Sequence, residues 1–199
     1  MSSKRPEWAH STPSSILLVR HGPVALDAPG LLSRDAFLRY VEAYERADLR
    51  SDARPLDVLA RNLAARAEIF ASDAPRVSES LALLGLGREA VVDPLFGEES
   101  HSAPHLSGRW PLIVWFALSR GAGVFHPEEA DARRKMRERA QRAAGLLTAA
   151  AKRGPVALVG HGWFNRAITR ALAKRAWRRI EVHGGSAPWS HVVLELRQG

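Results

Sequence analysis

The chain has no cysteine, which removes disulfides and thiolate chemistry from its repertoire. That absence fits the cytoplasm. Metal-ligand spacing is scant as well: the one His-x-x-x-His, His101 to His105, is interrupted by Pro104 and there is no cysteine, so neither a metal nor any other cofactor is expected. Long apolar runs are absent. Ile16–Val19 is far too short for a signal-peptide core or a membrane span, and no membrane partner is expected. No internal repeat and no low-complexity linker divides the chain. Lysine is scarce, confined to Lys4, Lys135, Lys152 and Lys174.

What is present describes one globular domain. The 199 residues are 46% hydrophobic and 25% charged, ordinary values for a soluble protein. A chain of this size buries roughly 70% of its unfolded surface without a metal or disulfide staple. The polar stretch 1–15, with Pro6 and Pro13, reads as a flexible N-terminus, and 16–199 as a single domain. The charge is unbalanced, with 29 basic against 21 acidic residues and a net +8. Such an excess suits an anionic partner. Yet 25 of the 29 basic residues are arginine, the mark of a GC-rich coding sequence. The arginines of 133–142 are interspersed with Glu138 and preceded by Glu128, Glu129 and Asp131, as on a solvated helix face. Nucleic acid is therefore not the expected partner.

Apolar patterning gives alternating strands and helices. Buried strands are expected at Ile16–Val19, Ala67–Ala71, Ala90–Asp93 and Val156–Val159, with a last strand at Ser190–Leu196. Helices are expected at Leu31–Ala47 with Ser33 as N-cap, Leu56–Ala65, Pro75–Leu84, Leu112–Leu118, Pro127–Ala151 and Trp163–Lys174. The alternation predicts an α/β fold: a mostly parallel sheet with helices on both faces, a three-layer α/β/α sandwich. Ligands of such sheets bind beyond the carboxyl ends of the strands.

Those strand ends carry a pattern. Val19-Arg20-His21-Gly22 follows the first strand, and Val159-Gly160-His161-Gly162 follows a later one. Between them, Ser72-Asp73-Ala74-Pro75-Arg76 puts an arginine at the start of a helix. Arg20, His21, Arg76 and His161 are thus expected to converge on one cationic pocket. Guanidinium forks match phosphate oxygens, and the N–H groups after Gly162 add an anion-binding helix start. A neutral imidazole in line with phosphorus can act as nucleophile.

Leu17-Leu18-Val19-Arg20-His21-Gly22 resembles the first motif of the histidine phosphatase superfamily, also called phosphoglycerate mutase-like. Ser72-Asp73-Ala74-Pro75-Arg76-Val77-Ser78-Glu79-Ser80 resembles its second motif, and Leu158-Val159-Gly160-His161-Gly162 its last. The order is the family's, and the resemblance spans Ile16 to Leu196. Ser33–Ala47, with Ser72–Ser80 and Gly160–Arg166, further resembles a little-described bacterial branch.

The resemblance implies that His21 becomes a phosphohistidine while Arg20, Arg76, His161 and Gly162 hold the phosphoryl oxygens. It implies a Glu just beyond the third strand as general acid and base; Glu98 occupies that place, with Glu99 as the fallback. The expected activity is metal-independent hydrolysis of a small phosphorylated metabolite. A phosphomutase and a non-catalytic phospho-ligand binder are the alternatives. Departures bear on the substrate. Pro23-Val24-Ala25-Leu26-Asp27 lacks the Asn many relatives place there, and both the Gly-x-Trp-Glu-Gly and the mutase-type Glu-Arg-His-Tyr-Gly segments are missing. The insert at about 95–125 is expected to face the substrate, with His101, His105 and Trp110 as pocket candidates and Trp115 and Phe116 as helix core. No interface patch assigns an oligomeric state.

Overall fold

The computed structural model describes residues 14–87, 89–98, 103–121 and 127–197. The expected flexible stretch lies outside them up to residue 13. Ser15, by contrast, is buried at the start of the first strand, so that strand begins one residue earlier than expected.

The central sheet is built from β1 (Ser15–Arg20), β3 (Glu68–Ala71), β4 (Ala90–Val92), β6 (Val156–Gly160), β7 (Trp177–His183) and β8 (His191–Leu196). Its order is β4-β3-β6-β1-β8-β7. The first four run parallel, and β8 and β7 add an antiparallel edge. A second, two-stranded sheet joins β2 (Leu31–Leu32) to β5 (Trp110–Pro111). The helices are α1 (Arg34–Arg46), α2 (Asp57–Ala64), α3 (Pro75–Leu83), α4 (Leu112–Gly121), α5 (Pro127–Ala151) and α6 (Gly162–Ala173).

Strand periodicity explains the layers. Ile16 and Leu18 point to one face of β1 and pack with Leu158, Phe70 and the inner sides of α5 and α6. Leu17 and Val19 point to the other face and pack with Ala157, Val159 and the inner sides of α2 and α3. All four β1 side chains are at most 1% exposed, which accounts for the continuous apolar run in the sequence. Helical spacing predicts a buried stripe of Met136, Ala140, Ala143, Leu147 and Ala151 on α5; the last four are buried, and Met136 is only half-buried. Small alanines let this helix lie close to the sheet.

Two elements depart from the sequence reading. Leu31 and Leu32 belong to β2, paired with Pro111 and Trp110, and the helix expected from Leu31 begins only after Ser33. Ser33 does cap it, accepting from the Ala36 N–H at 3.4 Å. The strand β7 was not foreseen. Its sequence, Trp-Arg-Arg-Ile-Glu-Val-His, buries only Trp177 well, because it forms the sheet edge with a register irregularity between Arg179 and Glu181.

Leu147 is fully buried where α5 meets the sheet. Leu147→Ala is expected to cost about 2–5 kcal/mol, read as a lower urea midpoint at unchanged slope.

Candidate active site

The register of β1 against β6 sets the site. Arg20 lies opposite Gly160, and the His21 N–H donates to the Gly160 carbonyl at 2.9 Å. Both motifs therefore leave the sheet at one level. The imidazoles of His21 and His161 meet edge to face with centroids 5.5 Å apart, and both are almost fully buried.

Each histidine has a definable tautomer. His21 Nδ1 lies 2.8 Å from the Gly22 carbonyl, which only accepts, so Nδ1 carries the proton and Nε2 keeps its lone pair. His161 Nδ1 lies 3.2 Å from Nη2 of Arg76, which only donates. His161 therefore donates from Nε2 to Ser72 Oγ at 2.9 Å. Burial lowers the His21 pKa to about 3, assisted by the charge of Arg20 and then of Arg76. Burial likewise lowers His161 to about 2, with Arg76 the largest charge contribution.

Arg76 is held at the first turn of α3, 3% exposed, with its Nη1 donating to the Glu45 carbonyl at 2.9 Å and its guanidinium 5.4 Å from the Tyr44 ring. Burial lowers its pKa, while the nearby Tyr44, Glu98 and Glu45 oppose that shift. Arg20 donates to the Ser186 carbonyl and, at 3.3 Å, to the Tyr44 hydroxyl. The Nε–H groups of Arg20 and Arg76 are buried without an acceptor among the described residues. Both guanidiniums thus retain donors in reserve.

Close packing requires glycine at position 22 and favours it at 162. A Cβ on Gly22 would sit 2.5 Å from Cζ2 of Trp189, and one on Gly162 would sit 3.0 Å from Cδ of Arg20. The Gly22 N–H donates to Ser80 Oγ at 2.9 Å, and Ser80 donates on to the Arg76 carbonyl at 2.7 Å. One hydroxyl thereby ties the first motif to the second. Asn165 donates from Nδ2 to the Val19 carbonyl at 2.9 Å, fastening α6 to the end of β1.

A cavity of about 590 Å³ opens over this group, and Arg20, His21, Arg76, Glu98, His161 and Gly162 all line it. Glu98 enters from beyond β4, two residues after a 3₁₀ turn at Pro94–Phe96. Glu99 and His101 lie outside the described residues. His105 is exposed, and neither it nor Trp110 is among the described residues lining the cavity. The Trp110 indole donates instead to the Ser107 carbonyl at 3.1 Å, because β5 holds this residue against β2. Trp115 is core as expected, fully buried and donating to the Leu32 carbonyl at 2.8 Å. Phe116 packs half-buried against the same cluster and also forms part of the cavity wall.

Residues given no role from the sequence complete the wall: Tyr44 and Glu45 from α1, Trp163 and Arg166 from α6, and Ser186 from the β7–β8 connection. Among the described residues no group of three or more His, Asp or Glu is arranged to hold a metal, and no helix is long and apolar enough to cross a membrane.

No protein-family model matches the sequence, and no curated protein matches it significantly. Solved structures do. The product of an open reading frame of Mycobacterium tuberculosis superposes with a TM-score of 0.51 at 18% identity, over 93% of this chain and 92% of that one. A structure named mycobacterial hydrolase 1 gives 0.53 at 18% identity, over 92% and 89%. A phosphoglycerate mutase from Bacillus anthracis is also matched, at 0.48 and 16% identity, over 93% and 92%. The first two share this chain's fold, the three-layer α/β/α sandwich that the alternation of strands and helices predicted.

The buried neutral histidines make stability depend on pH. Their folded pKa values, about 3 and about 2, lie below the ordinary 6.5, so the unfolded chain binds more protons between those limits. Their stabilising contribution is complete above pH 6.5 and is lost as pH falls toward 3. Each is expected to contribute a slope of about 1.4 kcal/mol per pH unit in that window. Urea titrations between pH 7 and 5 should show the loss, and His161→Gln should flatten it.

Proposed function

We propose that this protein is a phosphomonoesterase that works through a phosphohistidine on His21, with arginine rather than metal supplying the positive charge. The convergence of Arg20, His21, Arg76 and His161 with Glu98 on one cavity carries this reading. The unprotonated Nε2 of His21 attacks phosphorus, and the P–O bond to the alcohol breaks. Protonated Glu98 gives its proton to the leaving oxygen. A water then loses a proton to the Glu98 carboxylate and attacks phosphorus. The P–N bond breaks, inorganic phosphate leaves, and the Nε2 lone pair is restored.

The two guanidiniums balance charge on the phosphoryl oxygens as the transition state forms. A phosphoryl dianion also reverses the local field, which raises the proton affinity of both imidazoles. His161 acts beside it by accepting from Arg76 and so holding that guanidinium toward the phosphoryl group. Ser80 acts indirectly, by fixing Gly22 and therefore the His21 backbone. The hydrolase name of one solved neighbour accords with this reading, although that likeness extends to the fold alone.

The test is hydrolysis of p-nitrophenyl phosphate in EDTA. Wild-type protein should release phosphate, and His21→Ala should abolish the release. Glu98→Gln should lower kcat by about 10²–10⁴-fold. Wild-type protein that binds vanadate yet turns over no phosphoester would overturn the proposal.

A further inference from the structure

Beyond its phosphoryl end the cavity changes character. Its far wall is α4, whose sequence opens Leu-Ile-Val-Trp-Phe-Ala-Leu. Trp115 turns inward and stacks on Phe37, with centroids 5.5 Å apart and planes 15° apart. Phe37 also meets Phe116 edge to face at 5.5 Å. This aromatic cluster fixes how α4 is rotated. Ile113, Phe116 and Ala117, at i, i+3 and i+4, consequently share the face turned to the cavity. Ile113 is 75% exposed, the highest value for a large apolar side chain among the described residues. Val41 and Tyr44 of α1 and Trp163 of α6 face the same space.

The polar groups of this half are largely committed to one another. Arg166 donates to Ser186 Oγ at 2.6 Å, and its guanidinium lies 5.6 Å from the Trp163 ring. The Ser186 carbonyl and the Tyr44 hydroxyl accept from Arg20. Glu45 also lines the space, and its carbonyl is taken by Arg76. Sugar hydroxyls need several donors and acceptors, and three helices here present carbon. A slot of this kind stabilises apolar surface.

We propose that the site takes phosphomonoesters of an aryl or medium-chain alkyl alcohol in preference to sugar phosphates or phosphoglycerates. The inference rests on the phosphoryl end being where the preceding reading puts it. Apolar burial of the alcohol would contribute affinity at about fourfold per methylene until the slot is filled.

Calorimetric binding of methyl-, butyl- and octylphosphonate tests this without requiring turnover. Affinity should climb along the series in wild-type protein. Ile113 and Ala117 are both exposed, so Ile113→Ser and Ala117→Asp should leave the fold intact. Each should weaken octylphosphonate at least tenfold more than methylphosphonate. In parallel, kcat/KM for phenyl phosphate should exceed that for glucose 6-phosphate and 3-phosphoglycerate. A flat phosphonate series, with p-nitrophenyl phosphate still hydrolysed, would overturn the apolar preference alone. A rising series with no phosphoester turned over would support the preference and overturn the hydrolase reading. Failure to bind any phosphonate would overturn both.

Discussion

The pairing of β1 with β6 is the constraint on which the rest depends. Five Cα pairs, Ile16 with Val156 through Arg20 with Gly160, place two strand ends side by side. His21 and His161 are 140 residues apart in sequence but adjacent in space for that reason. A one-residue slip would turn Ile16 and Leu18 toward the wrong layer and carry Arg20 and His21 with them. The register is therefore enforced by the burial of both faces of β1, and the site inherits its precision from the core. β3 joins the same level from the other side of β6, with Ala71 opposite Val159, and delivers Ser72 and Arg76 to the same place.

Holding this group together works against ordinary electrostatics. Two guanidiniums are brought near two imidazoles, and each pushes against protonation of its neighbours. The conflict is resolved by keeping both imidazoles neutral and by spreading the donors of Arg76 over the Glu45 carbonyl, His161 and the Tyr44 ring. The end of α1 must be positioned for that. Val24 forms a bridge with Leu49, Ala25 donates to the Asp48 carbonyl, and Glu79 accepts from the Leu49 N–H at 2.7 Å. The Pro23–Asp27 segment thus locks the chain that follows α1 through its backbone.

What could be read from the sequence tracks how local its cause is. β1 and β6 were legible because burial on both faces writes an uninterrupted apolar run. The α5 stripe was legible because helical spacing writes its own signature. His21, Arg76 and His161 were legible because each stands directly after a strand or at a helix start. Edge strand β7 was not, since an exposed edge carries no apolar pattern. Trp110 looked like a pocket aromatic, but pairing with Leu32, a partner 78 residues away, holds it elsewhere. Phe116 is core on one side and cavity wall on the other, because the helix period is blind to whether a neighbour is protein or an open cavity. Tyr44 and Ser186 reach Arg20 only through the tertiary arrangement, which no spacing announces.

Burial divides the arginines into two populations with different physics. On α5, Arg134 pairs with Asp131 and Glu138, and Lys135 pairs with Asp131, all well exposed. Such pairs are worth at most about 1 kcal/mol and weaken with salt. They answer to solubility rather than to a ligand. Arg76 is of the other kind, its charge almost fully removed from water and its Nε–H without an acceptor among the described residues. A guanidinium in that condition keeps a high affinity for any anion of matching shape. The net +8 is thus a poor guide to the partner, because most of it is solvated. On the proposed reading, the charge that meets the ligand is the small part held at the strand ends, beside helices that present Ile113, Phe116 and Trp163.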